Sequence, residues 1–222
     1  MTTKHPKHTA LPATELRITA FHMAANAVAA CLIGRSAECS LHPCGCGDFS
    51  LGGPRKSLPR DLWLPTMSVL GIAYCGGVEP TQVLNSNDDL LDNLLGSVHA
   101  FWHSVHDGVL EHEGEEQALL VLGHVAESFV AIHPEVLRAV EAVAQALRLS
   151  GSLSKKQVER LVRDHVPASV VLPEITPQLL WPTPQPLWPD VTFKTAKRKV
   201  VKPARKLARK PAKRVVGKRV RK

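Results

Sequence analysis

Aromatic residues are scarce: one Tyr, five Phe and four Trp make up 5% of 222 residues. Packing must therefore fall mostly to Leu, Val and Ala. No apolar run comes near the roughly eighteen residues that a membrane-spanning helix needs. Met1 to Pro12 holds Lys and His but no apolar stretch of the kind a secretory leader carries. The cysteines, at 31, 39, 44, 46 and 75, are odd in number. With no leader, a disulfide framework is not the expectation. Free or metal-bound thiols in a reducing, cytoplasmic setting are. Acidic residues are absent from residue 194 onward, and that absence divides the chain.

What is present fits one main domain and a tail. Apolar residues make up 44%, enough for a core. Of 28 Lys and Arg, fifteen lie in residues 194–222. Residues 1–193 therefore keep 13 against all 20 acidic side chains, a net of −7. An acidic body with a strongly basic tail presents two separate fields, unlike a uniformly basic protein.

Glu15 to Arg35 reads as one amphipathic helix. Thr14 is a natural N-cap, Glu15 suits the positive helix start, and Gly34 suits the end. Ile18, Phe21, Ala25, Val28, Ala29 and Leu32 recur at helical spacing as its buried stripe. Residues 36–65 are rich in Gly, Pro and Cys, which predicts a small β-hairpin or irregular edge. A short helix is predicted over Thr66–Tyr74, closed by Gly76-Gly77. Ser86 is the predicted cap of a long helix carrying Leu91, Leu94, Val98, Phe101 and Val105 and ended by Gly108. Further helices are predicted over Glu115–Ile132, from Pro134 to Gly151, and after the capping box Ser154-Lys155-Lys156-Gln157.

The fold class is therefore mainly α. A compact helical domain (14–165) with a small β segment after its first helix follows a loose N-terminus (1–13). A Pro/Trp-rich linker (166–193) and a disordered basic tail (194–222) come after it. In the linker, Leu180-Trp181-Pro182 is echoed by Leu187-Trp188-Pro189. Two exposed tryptophans would be unusual, so the segment either lies in a groove or is a plain extended linker.

His22 and Asn26 sit four apart on one flank of the first helix. That is the spacing of the helical H-E-x-x-H of zinc proteases. Five stretches follow in order: ITAFHMAANAVAACLIGR; Cys39–Leu51 with Gly52-Gly53; Tyr74-Cys75-Gly76-Gly77 with Glu79; Ser86-Asn87-Asp88 opening a long helix; and AVEAVAQALRLSGSLSKKQVERLV. Together they resemble the peptidase domain of FtsH-type zinc proteases over residues 14–165. The resemblance implies a stand-alone helical peptidase-like unit, with zinc as the candidate cofactor. It makes His22 the first ligand and Asp88, or its neighbour Asp89, the third. The second ligand position is Asn26 and the general-base position is Met23. An amide oxygen is a poor zinc ligand beside imidazole, and a thioether cannot carry a proton. The resemblance thus implies a degenerate peptidase, inactive by the family mechanism and kept as a binding or regulatory scaffold for a protein partner. The enzymatic alternative is a metal-dependent peptidase or hydrolase in which another His or Cys completes His22 and Asp88.

Two other clusters carry chemistry. Cys39, His42, Cys44 and Cys46 place four soft donors in eight residues. Thiolate and imidazole suit zinc. The spacing C-x2-H-x-C-x-C is no standard finger, however, and free or redox-active thiols are the plainer reading. His99, His103 and His106 recur at i, i+4 and i+7, a spacing for a metal or a pH sensor. The plainer reading is a polar flank beside Trp102. They begin about 16 Å along the helix from Asp88, too far to complete the His22–Asp88 pair.

The tail contains an imperfect eight-residue repeat, Lys202–Arg209 and Lys210–Gly217. It is similar to the Lys-Pro-Ala-rich tails of linker-histone-like bacterial proteins. Prolines interrupt helix, and like charges keep the segment extended. Its candidate nucleic-acid contacts are Lys197, Arg198, Lys199, Lys202, Arg205, Lys206, Arg209, Lys210, Lys213, Arg214, Lys218 and Arg219. Such contacts go to phosphates, with steep salt dependence and little sequence preference. Anionic lipid or the acidic body could meet the same charge. A further function class is a nucleoid-associated DNA-binding protein whose body only spaces the tail.

Overall fold

The first helix is built to be packed from several sides, because its alanines leave neighbours room to approach. In the computed structural model, which describes residues 13–53 and 58–182, the elements run as follows. They are α1 (Ala13–Leu32), β1 (Ser36–Leu41), β2 (Gly47–Gly52), α2 (Leu58–Asp61), α3 (Trp63–Gly76), α4 (Pro80–Ser86), α5 (Asp88–Val105), α6 (His112–Ile132), α7 (Pro134–Ser150), β3 (Ser152–Leu153), α8 (Lys155–His165) and α9 (Pro177–Leu180). The fold is mainly helical, with a small sheet after the first helix. Among the described residues, no single helix is long and apolar enough to cross a membrane.

Ala20, Ala24, Ala25, Ala27, Ala29 and Ala30 of α1 are all fully buried. α3 and α7 are its main helical neighbours. α3 comes so near that a Cβ on Gly71 would lie 2.6 Å from Ala25 Cβ and 3.0 Å from the Phe21 carbonyl oxygen. α7 brings an apolar face of Val136, Val140, Val143, Ala144 and Leu147, all buried. Gly151 closes α7 in the left-handed region at φ 72°, and Gly77 closes α3 at φ 62°, conformations that glycine reaches without a Cβ clash. The Gln157 side chain accepts the Ser154 N–H at 2.9 Å, fixing the start of α8.

β1 is the centre of a three-stranded antiparallel sheet, in the order β2-β1-β3. Ser36 faces Gly52 and Leu41 faces Gly47, while Cys39 and Ser40 face Leu153 and Ser152 on the other side. The predicted hairpin is therefore present, with a third strand added from far along the chain.

Three local expectations change. The cap of α5 is Asn87, whose side-chain oxygen accepts the Leu90 N–H at 3.1 Å. Ser86 belongs instead to α4, where its hydroxyl donates to the Val83 carbonyl at 3.1 Å. Residues 58–61 and 63–65 are helical, joined at Leu62, because burial of Leu62 and Trp63 overrides the Gly/Pro content around them. Finally, the segment after α8 is packed as far as it is described. Val166, Val170, Ile175 and Leu180 are buried. Trp63 Nε1 donates to the Pro173 carbonyl at 3.0 Å, and Trp181 Nε1 donates to the Gly114 carbonyl at 3.0 Å. Trp188 and all the basic-tail candidates lie outside the described residues.

Candidate functional site

α1 sets out His22, Met23 and Asn26 within one helical turn and a residue. His22 and Asn26 are half-buried on its flank. Burial lowers the His22 pKa from the ordinary 6.5, so the imidazole is neutral at neutral pH. Met23 turns inward and is only 6% exposed. A Cβ on Gly47 would come 2.5 Å from its terminal methyl, so Met23 is the plug between α1 and β2. An apolar packing contact stands where a general base would be needed.

Asp88 and Asp89 occupy the first turn of α5 and are exposed. The positive end of a helix dipole suits both carboxylates without any metal. Among the described residues, no three of His, Cys, Asp and Glu converge as a metal site. An imidazole, a buried thioether, an amide and an exposed carboxylate do not make a zinc donor set. The residues present therefore do not fit the zinc that the resemblance implies.

The donors of the hairpin separate in the same way. Cys39 is buried on β1, and burial pushes its pKa up to about 11. His42 Nε2 lies 2.8 Å from Asp48 Oδ2 across the hairpin end. Cys44 and Cys46 are disulfide-bonded to each other, which corrects the expectation of unpaired thiols. Gly45, at φ 82°, folds the chain so that the two Cα atoms stand 5.6 Å apart, within disulfide range. Cys31 on α1 is held up at about 11 by burial first, then by the charges of Glu159 and Cys39. Thiols raised this far are poor nucleophiles at neutral pH.

The richest polar cluster joins α5 to α6. Glu115 takes His99 and His112 on its two oxygens: His99 Nε2 is 2.7 Å from Oε1, and His112 Nδ1 is 3.2 Å from Oε2. The hydrogen bond from His112, with help from His99, lowers the Glu115 pKa from the ordinary 4.5. His106 joins an aromatic group instead. Its ring is 4.1 Å from Trp102, and Trp102 stands edge-on to Trp181 at 4.8 Å. His103 is exposed. The three histidines therefore do not act as one set.

Sequence reasoning missed the role of Glu115; it offered a groove for the Trp181 segment but not the residues that form it, Phe101, Trp102 and Gly114. His112, Glu115 and Glu116 have the i, i+3, i+4 spacing of a helical pair, which was a legible signal. The reach from His99 across to Glu115 spans two helices and was not. Comparison of the chain with family models, curated proteins and solved structures finds no match.

Proposed function

We propose that the chain is a degenerate FtsH-type zinc-peptidase-like domain, without peptidase activity, that serves as a binding or regulatory scaffold and holds nucleic acid through its basic tail. One observation carries the reading. Met23, at the position of the family's general base, is 6% exposed and packed toward Gly47 of β2. The helix keeps its packing role while the position that would move a proton is apolar. The half-buried Asn26 supports the same reading, because its amide replaces a second imidazole.

The test is to rebuild the site. Met23→Glu alone should destabilise by about 2–4 kcal/mol, because it buries an unpaired carboxylate. Met23→Glu with Asn26→His should recover part of that loss when zinc is added, through binding to the folded state. Thermal melts with zinc and with chelator read both outcomes. A double variant that ignores zinc would remove the peptidase resemblance of α1. Zinc-dependent cleavage of an unfolded protein substrate by the unaltered chain would overturn the inactive reading.

A further inference from the structure

The echo between residues 180–182 and 187–189 is part of a longer repeat. Thr176-Pro-Gln-Leu-Leu-Trp-Pro182 is followed at once by Thr183-Pro-Gln-Pro-Leu-Trp-Pro189. Six of seven positions are identical, and the two copies abut. Plain linkers have no need to preserve a tryptophan in register.

The first copy has a built receptor. Thr176 caps α9 by accepting the Leu179 N–H at 3.2 Å, and Pro177 holds its first turn. The turn closes when the Trp181 N–H donates to the Pro177 carbonyl at 2.8 Å. Leu180 is fully buried. The Trp181 ring stands 5.9 Å from Phe101, 4.8 Å from Trp102 and 6.1 Å from His106, all on or at the end of α5. Its indole N–H donates to the Gly114 carbonyl on α6 at 3.0 Å. Leu179, in contrast, is 38% exposed.

The second copy therefore keeps the Leu and Trp that fill the groove and the Pro that opens the turn, and it keeps the threonine without the N–H that this side chain accepts in the first copy. Its one change, Pro186 for Leu179, falls where the first copy exposes its side chain. We propose that the groove between α5 and α6 is a docking site for this Thr-Pro-Gln-x-Leu-Trp-Pro segment, and that Thr183–Pro189 of the same chain competes with Thr176–Pro182 for it. Pro186 explains why the first copy has the advantage. It has no N–H for the capping threonine, and it biases Gln185 away from the helical turn. Ile175, only 2% exposed, anchors the chain just before the repeat. A seven-residue tether from that anchor gives a local concentration on the order of millimolar, so a weaker copy can still compete. Exchange moves the anchoring point one repeat toward the basic tail.

The test uses the full chain labelled with 5-fluorotryptophan and read by fluorine NMR, with each resonance assigned by single substitution. In Trp181→Ala, the Trp188 resonance should move to the position of the docked indole, and Trp102 should keep its value in the unaltered chain. Trp181→Ala with Trp188→Ala should then shift Trp102. Trp181→Phe keeps a ring in the groove and protects folding while losing the bond to Gly114. It should raise the docked-to-free ratio of Trp188 about fivefold, the worth of one neutral hydrogen bond. Trp63, tilted against Phe129 in the core, reports that the body is folded in every variant. A Trp188 resonance unmoved in both single variants would overturn the proposal. So would a shift that grows with protein concentration, because it would place Trp188 in a neighbouring molecule.

Discussion

His22 shows what a single half-buried imidazole does to a fold. Burial lowers its pKa from 6.5, so the folded chain resists a proton that the unfolded chain accepts. Stability is therefore complete above pH 6.5 and falls as pH drops from there toward the depressed folded value. His22→Gln removes the titrating group. Its urea midpoint should change less than the parent's between about pH 7.5 and about pH 5.5. Equal pH slopes in the two proteins would mean that His22 protonates as readily folded as unfolded. The thiols at Cys31 and Cys39 offer no comparable switch near neutrality, since burial raises both to about 11.

At the scale of elements, small residues set how closely helices approach and polar pairs set which ones lock. Gly71→Ala places a methyl against Ala25 Cβ and the Phe21 carbonyl, and backbone cannot swing aside. It should cost about 1–3 kcal/mol by overpacking. Gly47→Ala meets chiefly the mobile end of Met23 and should cost less than Gly71→Ala; parallel denaturant titrations compare them. The α5–α6 clasp titrates in the acid range. The Glu115 pKa is lowered from 4.5, so its contribution is present above that value and is lost as pH falls through the folded pKa. Glu115→Gln should flatten the acid limb of a melting-temperature profile. These elements differ in how far they can be read in advance. The stripes of α5 and α7 repeat along the chain and mark their own buried faces, Leu94, Val98 and Phe101 in one, Val136, Val140 and Val143 in the other. α4 buries only Val83, and β3 is two residues long and exists through its pairing with β1. Neither leaves a periodic trace. The site follows the same rule. Met23 and Asn26 are legible where they stand, because the chemistry of a side chain is written in one letter. The pairing of Cys44 with Cys46 depends on the turn at Gly45, and the seat of Trp181 on Gly114 depends on a helix sixty-seven residues away in the chain.

At the scale of the whole molecule, the separation of charge makes a quantitative demand. Residues 1–193 carry a net of −7 and residues 194–222 carry fifteen positive charges with no acid among them. A polyanion should therefore be attracted by the tail and repelled by the body. Each phosphate neutralised on duplex DNA adds about 0.9 to the magnitude of the slope of log affinity against log salt. Residues 210–222 hold seven of the fifteen tail charges. Deleting them should reduce that slope by roughly half, with little dependence on DNA sequence. Deleting residues 194–222 should remove binding at low salt altogether, while circular dichroism of the helical body is retained. Fluorescence anisotropy of a labelled duplex across a salt series measures all three proteins. A slope that stays the same after the shorter deletion would assign the phosphate contacts to Lys194–Arg209 or to the body, and the full deletion separates those two. Binding that survives the full deletion would place the contacts on an acidic surface, where the phosphates have least reason to settle, and would end the role assigned to the tail.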